Sequence, residues 1–255
     1  MLIDSHCHLD AAEFDRDRAA VIERARAAGV KRQVVPAVDA AGWSKLREVC
    51  ADDPGLFPAY GLHPMYLESH RAEHLDDLRG WIERERPVAV GECGLDFFVD
   101  GLDTDAQHRY FDGQLALARE FELPVIVHAR RAVDAVIAAI RRVGRLRGVV
   151  HSFSGSAEQA RQLWQLDFLV GLGGPVTYGH ANRLRKLAAT MPLENLLLET
   201  DAPDQPDAGI RGQRNEPARL ATVLQSIAEL RDEDPQAIAG ATTRNAERLF
   251  GLPGL

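Results

Sequence analysis

Three cysteines in 255 residues are too few and too scattered to build a disulfide framework. Cys7, Cys50 and Cys93 form no C-x-x-C pair, so no thiolate zinc site is signalled. Lysine is equally scarce: Lys31, Lys45 and Lys186 stand against 27 arginines, a skew that reflects genome composition rather than binding. Aromatic residues are only 6% of the chain. There is no apolar run of about 18 residues, and hence no candidate transmembrane helix. No charged n-region, apolar h-region and cleavage site precede the first motif, so a reduced, cytoplasmic, soluble protein is expected. Basic charge is also in deficit. Thirty Lys and Arg face 38 Asp and Glu, a net charge of −8, and no basic field is available to hold nucleic acid non-specifically. Any polyanion must be gripped locally.

What the chain does have is a rhythm. Hydrophobic residues are 45% and charged residues 27%, an ordinary globular balance. Short apolar or β-branched runs occur at 2–5, 33–38, 56–60, 88–90, 125–127, 148–150, 168–170 and 196–198, each followed by a longer stretch of helical period. Phe14, Val21, Ile22, Ala25 and Ala28 form one such stripe, ending at Gly29, a residue suited to a helix C-terminus. Asp234-Pro235 announces the last helix. Eight alternating units in one chain of this length predict a single-domain (β/α)8 TIM barrel over 1–255. A doubly wound open sheet is the alternative, but no G-x-G-x-x-G follows the first run. No tandem repeat, linker or appended nucleic-acid module is visible, and a monomer is expected.

The chemistry lies where the runs end. The first ends in Ser5-His6-Cys7-His8-Leu9-Asp10. Residues i and i+2 of a strand share a face, so His6 and His8 can meet one metal while Cys7 points away. With nine histidines, chance alone supplies an H-x-H roughly 0.3 times, so this motif is weak by itself. The later runs end in Gly61-Leu62-His63-Pro64, Gly91-Glu92-Cys93-Gly94-Leu95-Asp96, Val127-His128-Ala129-Arg130, His151-Ser152-Phe153-Ser154-Gly155 and Glu199-Thr200-Asp201-Ala202-Pro203. Five of the nine histidines thus fall at strand C-termini, which a barrel gathers on one face. A single catalytic zinc needs about three protein ligands. His6, His8, His128, His151, Glu92 and Asp201 are enough for two divalent ions, with Glu92 as the bridging anion because no lysine sits at a strand end. Zn²⁺, Mn²⁺ or Fe²⁺ suit so many imidazoles, and Mg²⁺ stays among the candidates.

Taken in order, S-H-C-H-L-D, G-L-H-P, G-E-C-G-L-D, H-x-R, H-S-F-S-G and E-T-D-A-P resemble the TatD family of metal-dependent deoxyribonucleases, within the amidohydrolase-like barrels. The resemblance runs from Ile3 to Phe250. It implies a metal-dependent hydrolase with 3′–5′ exonuclease or abasic-site nuclease activity on DNA. It further implies that His6, His8, Glu92 and Asp201 hold one metal, and Glu92, His128 and His151 the second. The family's R-G-K-R-N-E-P stretch appears as Arg211-Gly212-Gln213-Arg214-Asn215-Glu216-Pro217, with Gln213 in place of lysine, a change expected to remove one phosphate contact. Asn245-Ala246-Glu247-Arg248-Leu249-Phe250 matches the family's terminal helix and reads as structural.

Within this frame Asp201 is the expected general base, with Glu92 as its catalytic partner. His63, Arg130 and Ser154 are the expected phosphate donors, Arg130 being planar and permanently charged. Asp96 is expected to hydrogen-bond its own loop. Gly171, Gly173 and Gly174 either make a turn or admit a close approach. His70, His74, His108 and His180 read as solvated bystanders, Cys7 and Cys93 as small apolar groups, and Trp43, Trp81 and Trp164 as packing residues. A hydrolase of a small amide or lactone is the competing function. A scaffold with vestigial ligands is a third, and the intact ligand set argues against it.

Overall fold

A computed structural model describes residues 1–253; the last two residues of the expected domain, 254–255, lie outside the described residues. Eight parallel strands run in the order of the chain: β1 (Leu2–Asp4), β2 (Val30–Pro36), β3 (Leu56–Tyr60), β4 (Ala89–Asp96), β5 (Val125–Arg130), β6 (Gly148–Val150), β7 (Phe168–Leu172) and β8 (Leu196–Leu198). The helices between them are α1 (Arg18–Ala27), α2 (Trp43–Ala51), α3 (His74–Glu85), α4 (Thr104–Glu120), α5 (Val133–Val143), α6 (Ala157–Trp164) and α7 (Asn182–Thr190); α8 (Leu220–Arg231) and α9 (Pro235–Phe250) follow β8. This is the single-domain α/β barrel that the alternation predicts. No helix among the described residues is long and apolar enough to cross a membrane.

Each strand contributes one buried residue to the barrel interior: Ile3, Val34, Ala59, Ala89, Ile126, Val149, Leu169 and Leu197. Ala246, Leu249 and Phe250 of α9, with Leu252, pack against this group. Because α9 lies on β1 and β8, the final helix plugs the N-terminal end of the cylinder and leaves the other end for chemistry. The larger apolar layer lies between strands and helices, where Cys7 and Cys93 are fully buried, as expected of them. Trp43, Trp81 and Tyr60 cluster there with ring centroids 5.6–6.4 Å apart, and Trp164 ends α6, so the tryptophans are packing groups.

The seam between β1 and β8 is closed by backbone hydrogen bonds and by the side chains of Ser5 and Asp4. Ser5 donates its backbone N–H to Leu198 O at 3.0 Å. Beside it the Asp4 carboxylate accepts from Thr200 N at 3.0 Å, Thr200 Oγ1 at 2.5 Å and His6 N at 3.2 Å. Burial pushes the Asp4 carboxyl up to about 7 against these three donors.

Several boundaries differ from expectation, each for a local reason. β2 begins at Val30, three residues before the predicted start, because Leu2 pairs with Val30 while Lys31 and Arg32 interrupt the apolar signal. Arg32 sits there by laying its guanidinium over the Phe57 ring at 5.8 Å. β4 runs on to Asp96, and β5 to Arg130, because Gly94 pairs with His128 and Asp96 with Arg130. The motif residues of these strands are therefore strand residues, not loop residues.

Asn245 shows why the terminal motif is structural. Its Nδ2 donates to Leu193 O at 2.7 Å and Leu196 O at 2.9 Å, tying α9 to the entry of β8. Asn245→Ala strands both carbonyls in a buried setting, a loss of about 1–3 kcal/mol. At this size that corresponds to a fall in Tm of roughly 2–10 °C, measurable by calorimetry; an unchanged Tm would show that α9 is anchored by its apolar face alone.

Candidate metal centre

The C-terminal mouth of the barrel opens into a cleft of about 860 Å³, and Glu92 lies at its floor with its side chain 2% exposed. An irregularity in the β4–β5 pairing between Val90 and Cys93 turns this carboxylate inward. Gly91 allows the turn: its φ is +148°, and an added Cβ would meet Ile126 O at 2.7 Å.

Five imidazoles converge on this one carboxylate, divided between its two oxygens. Oε2 faces His6 Nε2 at 3.2 Å and His8 Nε2 at 3.5 Å. Oε1 faces His151 Nε2 at 2.7 Å, His63 Nε2 at 2.9 Å and His128 Nδ1 at 3.2 Å. Asp201 joins the first group, its Oδ1 3.4 Å from His6 Nε2 and 3.6 Å from His8 Nε2. Asp201 holds a left-handed φ of +57°, fixed by its N–H donating to His6 O at 2.9 Å.

The donor set fits cations. His8 Nδ1 lies 3.1 Å from Pro36 O, an acceptor only, so Nδ1 carries the hydrogen and Nε2 turns its lone pair inward. His6 Nε2 stands only 3.2 Å from His8 Nε2, with two carboxylate oxygens beside them. Ligand atoms crowded together in this way are stabilised by a positive charge among them. In the metal-free protein protons supply it. Burial opposes charging His8 and His151, but Asp201 and Glu92 outweigh it and push them up to about 9 and about 10. Burial and the neighbouring His151 depress His6 to about 4. Burial works to raise Glu92, yet the imidazoles of His63, His151 and His6 hold it well below the usual carboxylate range.

His63 differs from the others. Met65 N–H donates to its Nδ1 at 3.1 Å, so Nε2 bears the hydrogen and the neutral ring is a donor toward Glu92. Arg130 lies on the cleft rim, its guanidinium 3.7 Å over the Phe98 ring. Ser154 is exposed at the same rim, and its carbonyl accepts from Arg183 at 2.6 Å.

Other expectations are corrected. Asp96 does bond its loop, through Phe98 N at 2.9 Å and Val99 N at 3.1 Å on Oδ1. Its Oδ2, however, accepts from His128 Nε2 at 2.9 Å, which turns His128 Nδ1 toward Glu92. Burial works to raise the Asp96 carboxyl, but His128 and the loop amides bring it down to about 2. The period of two along β4, which puts Glu92, Gly94 and Asp96 on one face, is the signal that finds it. His70 and His74 are buried rather than solvated: His70 Nε2 bonds His63 O at 2.9 Å, and His74 Nδ1 accepts from Arg71 N. Arg214 is not at the cleft; it pairs with Asp17 at 2.7 Å and stacks on Phe14, fastening its loop to the start of α1. Neither Gln213 nor Arg211 lines the cleft.

Two residues, one buried behind the cleft and one lining it, escaped the sequence reading. Glu199, two positions before Asp201, is buried with Oε1 accepting from Ser152 N, and burial pushes its carboxyl up to about 8. It explains Gly171, where an added Cβ would lie 2.0 Å from Glu199 Oε2. Gln205 donates to Asp201 Oδ2 at 2.6 Å and accepts from Ser152 Oγ at 2.7 Å, a bridge that no spacing announces.

Comparison with known proteins agrees with this geometry. The profile described as TatD related DNase matches residues 3–251. The chain belongs to the TatD family. Metal-dependent hydrolase YjjV of Escherichia coli K12 is 42% identical over 98% of both chains, and its crystal structure superposes with a TM-score of 0.95 over 99% of this chain and 98% of that one. The 3′-5′ ssDNA/RNA exonuclease TatD of Citrobacter rodentium is 33% identical, again over 98% of each. Membership makes this TatD protein a metal-dependent hydrolase, with clusters of His, Glu and Asp suited to hold the metal.

A TatD site whose His128 is oriented by Asp96 has a measurable dependence on it. Asp96→Ala frees the His128 ring and weakens metal binding by about 10–100-fold in a titration followed by calorimetry. Wild-type affinity in that variant would mean that packing alone orients the ring.

Proposed function

We propose that this TatD protein is a phosphodiesterase that shortens DNA from its 3′ end, with two divalent metal ions, both of which Glu92 would help to hold. The reading is carried by the division of labour at Glu92: one oxygen faces His6 and His8 with Asp201 beside them, the other His128 and His151. His6, His8, Glu92 and Asp201 would hold one ion and Glu92, His128 and His151 the other. Ions bound there supply the positive charge that polarises a phosphoryl oxygen and makes water acidic near neutral pH.

The protein's own groups do the rest. Burial works to raise the Asp201 carboxyl, but His8 and its neighbours hold it at about 2, so it stays an anion. Its place beside His6 and His8 at the cleft floor is what puts it in position to take a proton from water and return it to the leaving oxygen. Gln205, bonded to Asp201 Oδ2, keeps Oδ1 turned to the reaction side. His63 presents Nε2–H as a donor, and Arg130, flat on Phe98, presents a fork to a phosphate. Ser154 adds a hydroxyl at the rim. The DNase description of the family and the exonuclease activity named for the Citrobacter relative support phosphate over amide or lactone substrates.

Elemental analysis of the purified protein should find about two equivalents of Zn, Mn or Fe, or should do so after loading with metal. With Mn²⁺ or Mg²⁺, DNA carrying a 5′ label should shorten stepwise from its 3′ end. Turnover of a lactone or amide panel beside inert DNA would favour the competing hydrolase. Glu92→Ala should reduce turnover by roughly 100-fold or more and lower metal content at both positions; full activity in that variant would remove the bridge from the mechanism.

A further inference from the structure

Large apolar side chains are rarely exposed in this chain. Among the described residues they are Met1, Met65, Tyr66, Phe97 and Phe98. Scattered single cases need no explanation, but four of these five form two consecutive pairs, each 38–45% exposed. Both pairs lie on loops at the mouth of the barrel. Met65-Tyr66 follows β3 and Phe97-Phe98 follows β4, and these two strands are neighbours.

The pairs stand next to the metal centre, on backbone that is already fixed. Tyr66 lines the cleft with its ring centroid 5.7 Å from that of His63, whose Nε2 is 2.9 Å from Glu92. Tyr66 N donates to His63 O, Ser69 Oγ donates to Tyr66 O at 2.8 Å, and His70 Nε2 also bonds His63 O. Phe98 is held by its N–H on Asp96 Oδ1, and it carries the Arg130 and Arg131 guanidinium groups at 3.7 and 4.6 Å. Tyr66 and the Arg130–Phe98 tier thus present flat, preorganised surfaces toward solvent beside the catalytic floor.

We propose that these loops form a base-stacking subsite for single-stranded nucleic acid, in which unpaired bases lie on Tyr66 and on the Arg130–Phe98 tier while the phosphate reaches the metal centre. The inference rests on the phosphodiesterase reading and adds the source of substrate affinity. A chain of net charge −8 has no basic groove to hold a polyanion. Stacking needs none, and it tolerates any base because each has a π face. Bases inside a duplex are covered by their neighbours, so the subsite selects unpaired ends.

The test is kinetic, with a single-stranded oligonucleotide and an otherwise identical one whose two 3′-terminal residues are stable tetrahydrofuran units lacking bases. Tyr66→Ala and Phe98→Ala are each expected to raise KM for the normal strand about tenfold, with kcat within about twofold. For the baseless strand, already weak for the wild type, Tyr66→Ala should add little, and Phe98→Ala should keep only the part of its loss that comes from unseating Arg130. Tyr66→Trp and Phe98→Tyr should restore KM. An equal rise in KM on both strands would assign the two rings a purely structural role, and no rise on either would also overturn the subsite. A wild-type enzyme that shortens the normal strand while both alanine variants match it sinks only the subsite. A wild-type enzyme inert on both strands sinks the phosphodiesterase reading and the subsite with it.

Discussion

One carboxylate taken out of water governs the working end of this molecule. A buried Glu92 without compensation would cost several kcal/mol, and the protein offsets this by turning five imidazole rings onto its two oxygens. The arrangement is consistent only as a whole. The ligand atoms repel one another unless protons or metal ions lie among them, so the same crowding that stabilises the anion also prepares a place for cations. Asp96, Gln205 and the Pro36 carbonyl then set which nitrogen or oxygen of each neighbour turns inward.

The barrel exists to make that convergence rigid. His6 and His8 follow β1, Glu92 and Asp96 lie on β4, His128 lies on β5, His151 follows β6 and Asp201 follows β8. These elements come from distant stretches of the chain, and the interior layer of one apolar residue per strand fixes their spacing. Plugging the opposite end with α9 completes the division between a dry base and a polar mouth. At the seam Asp4 binds both Thr200 and His6, so the bonds that close the cylinder also position a residue of the metal centre.

Charge and shape divide the problem of recognising a substrate. The chain as a whole repels polyanions, while the cleft gathers donors and cation-binding groups at one point. A metal ion held by the His, Glu and Asp clusters would add positive charge at that point. The exposed aromatic residues of the neighbouring loops offer contact area that needs no net charge.

Much of this was legible before any coordinates. The alternation of short apolar runs with helical periods determined a barrel, because each period dictates which face must be buried. The H-x-H, G-E-C-G and E-T-D motifs at the ends of those runs marked residues that the fold gathers into clusters able to hold a metal. What local pattern could not convey was partnership. Asp96 looked like a turn residue because only the parallel register of β4 and β5 sets it against His128. His70 looked solvated because its burial depends on the segment 64–69 folding back over α4 beside Tyr110. Arg214 lies in the stretch that the family resemblance ties to phosphate, and only the fold places Asp17 beside it. The sequence by itself determined the architecture and the residue types at the mouth, since periodicity and strand ends are local properties. Tertiary structure alone decided which oxygen of Glu92 meets which imidazole and which arginine is left facing the cleft, because those contacts join residues that the chain keeps tens to hundreds of positions apart.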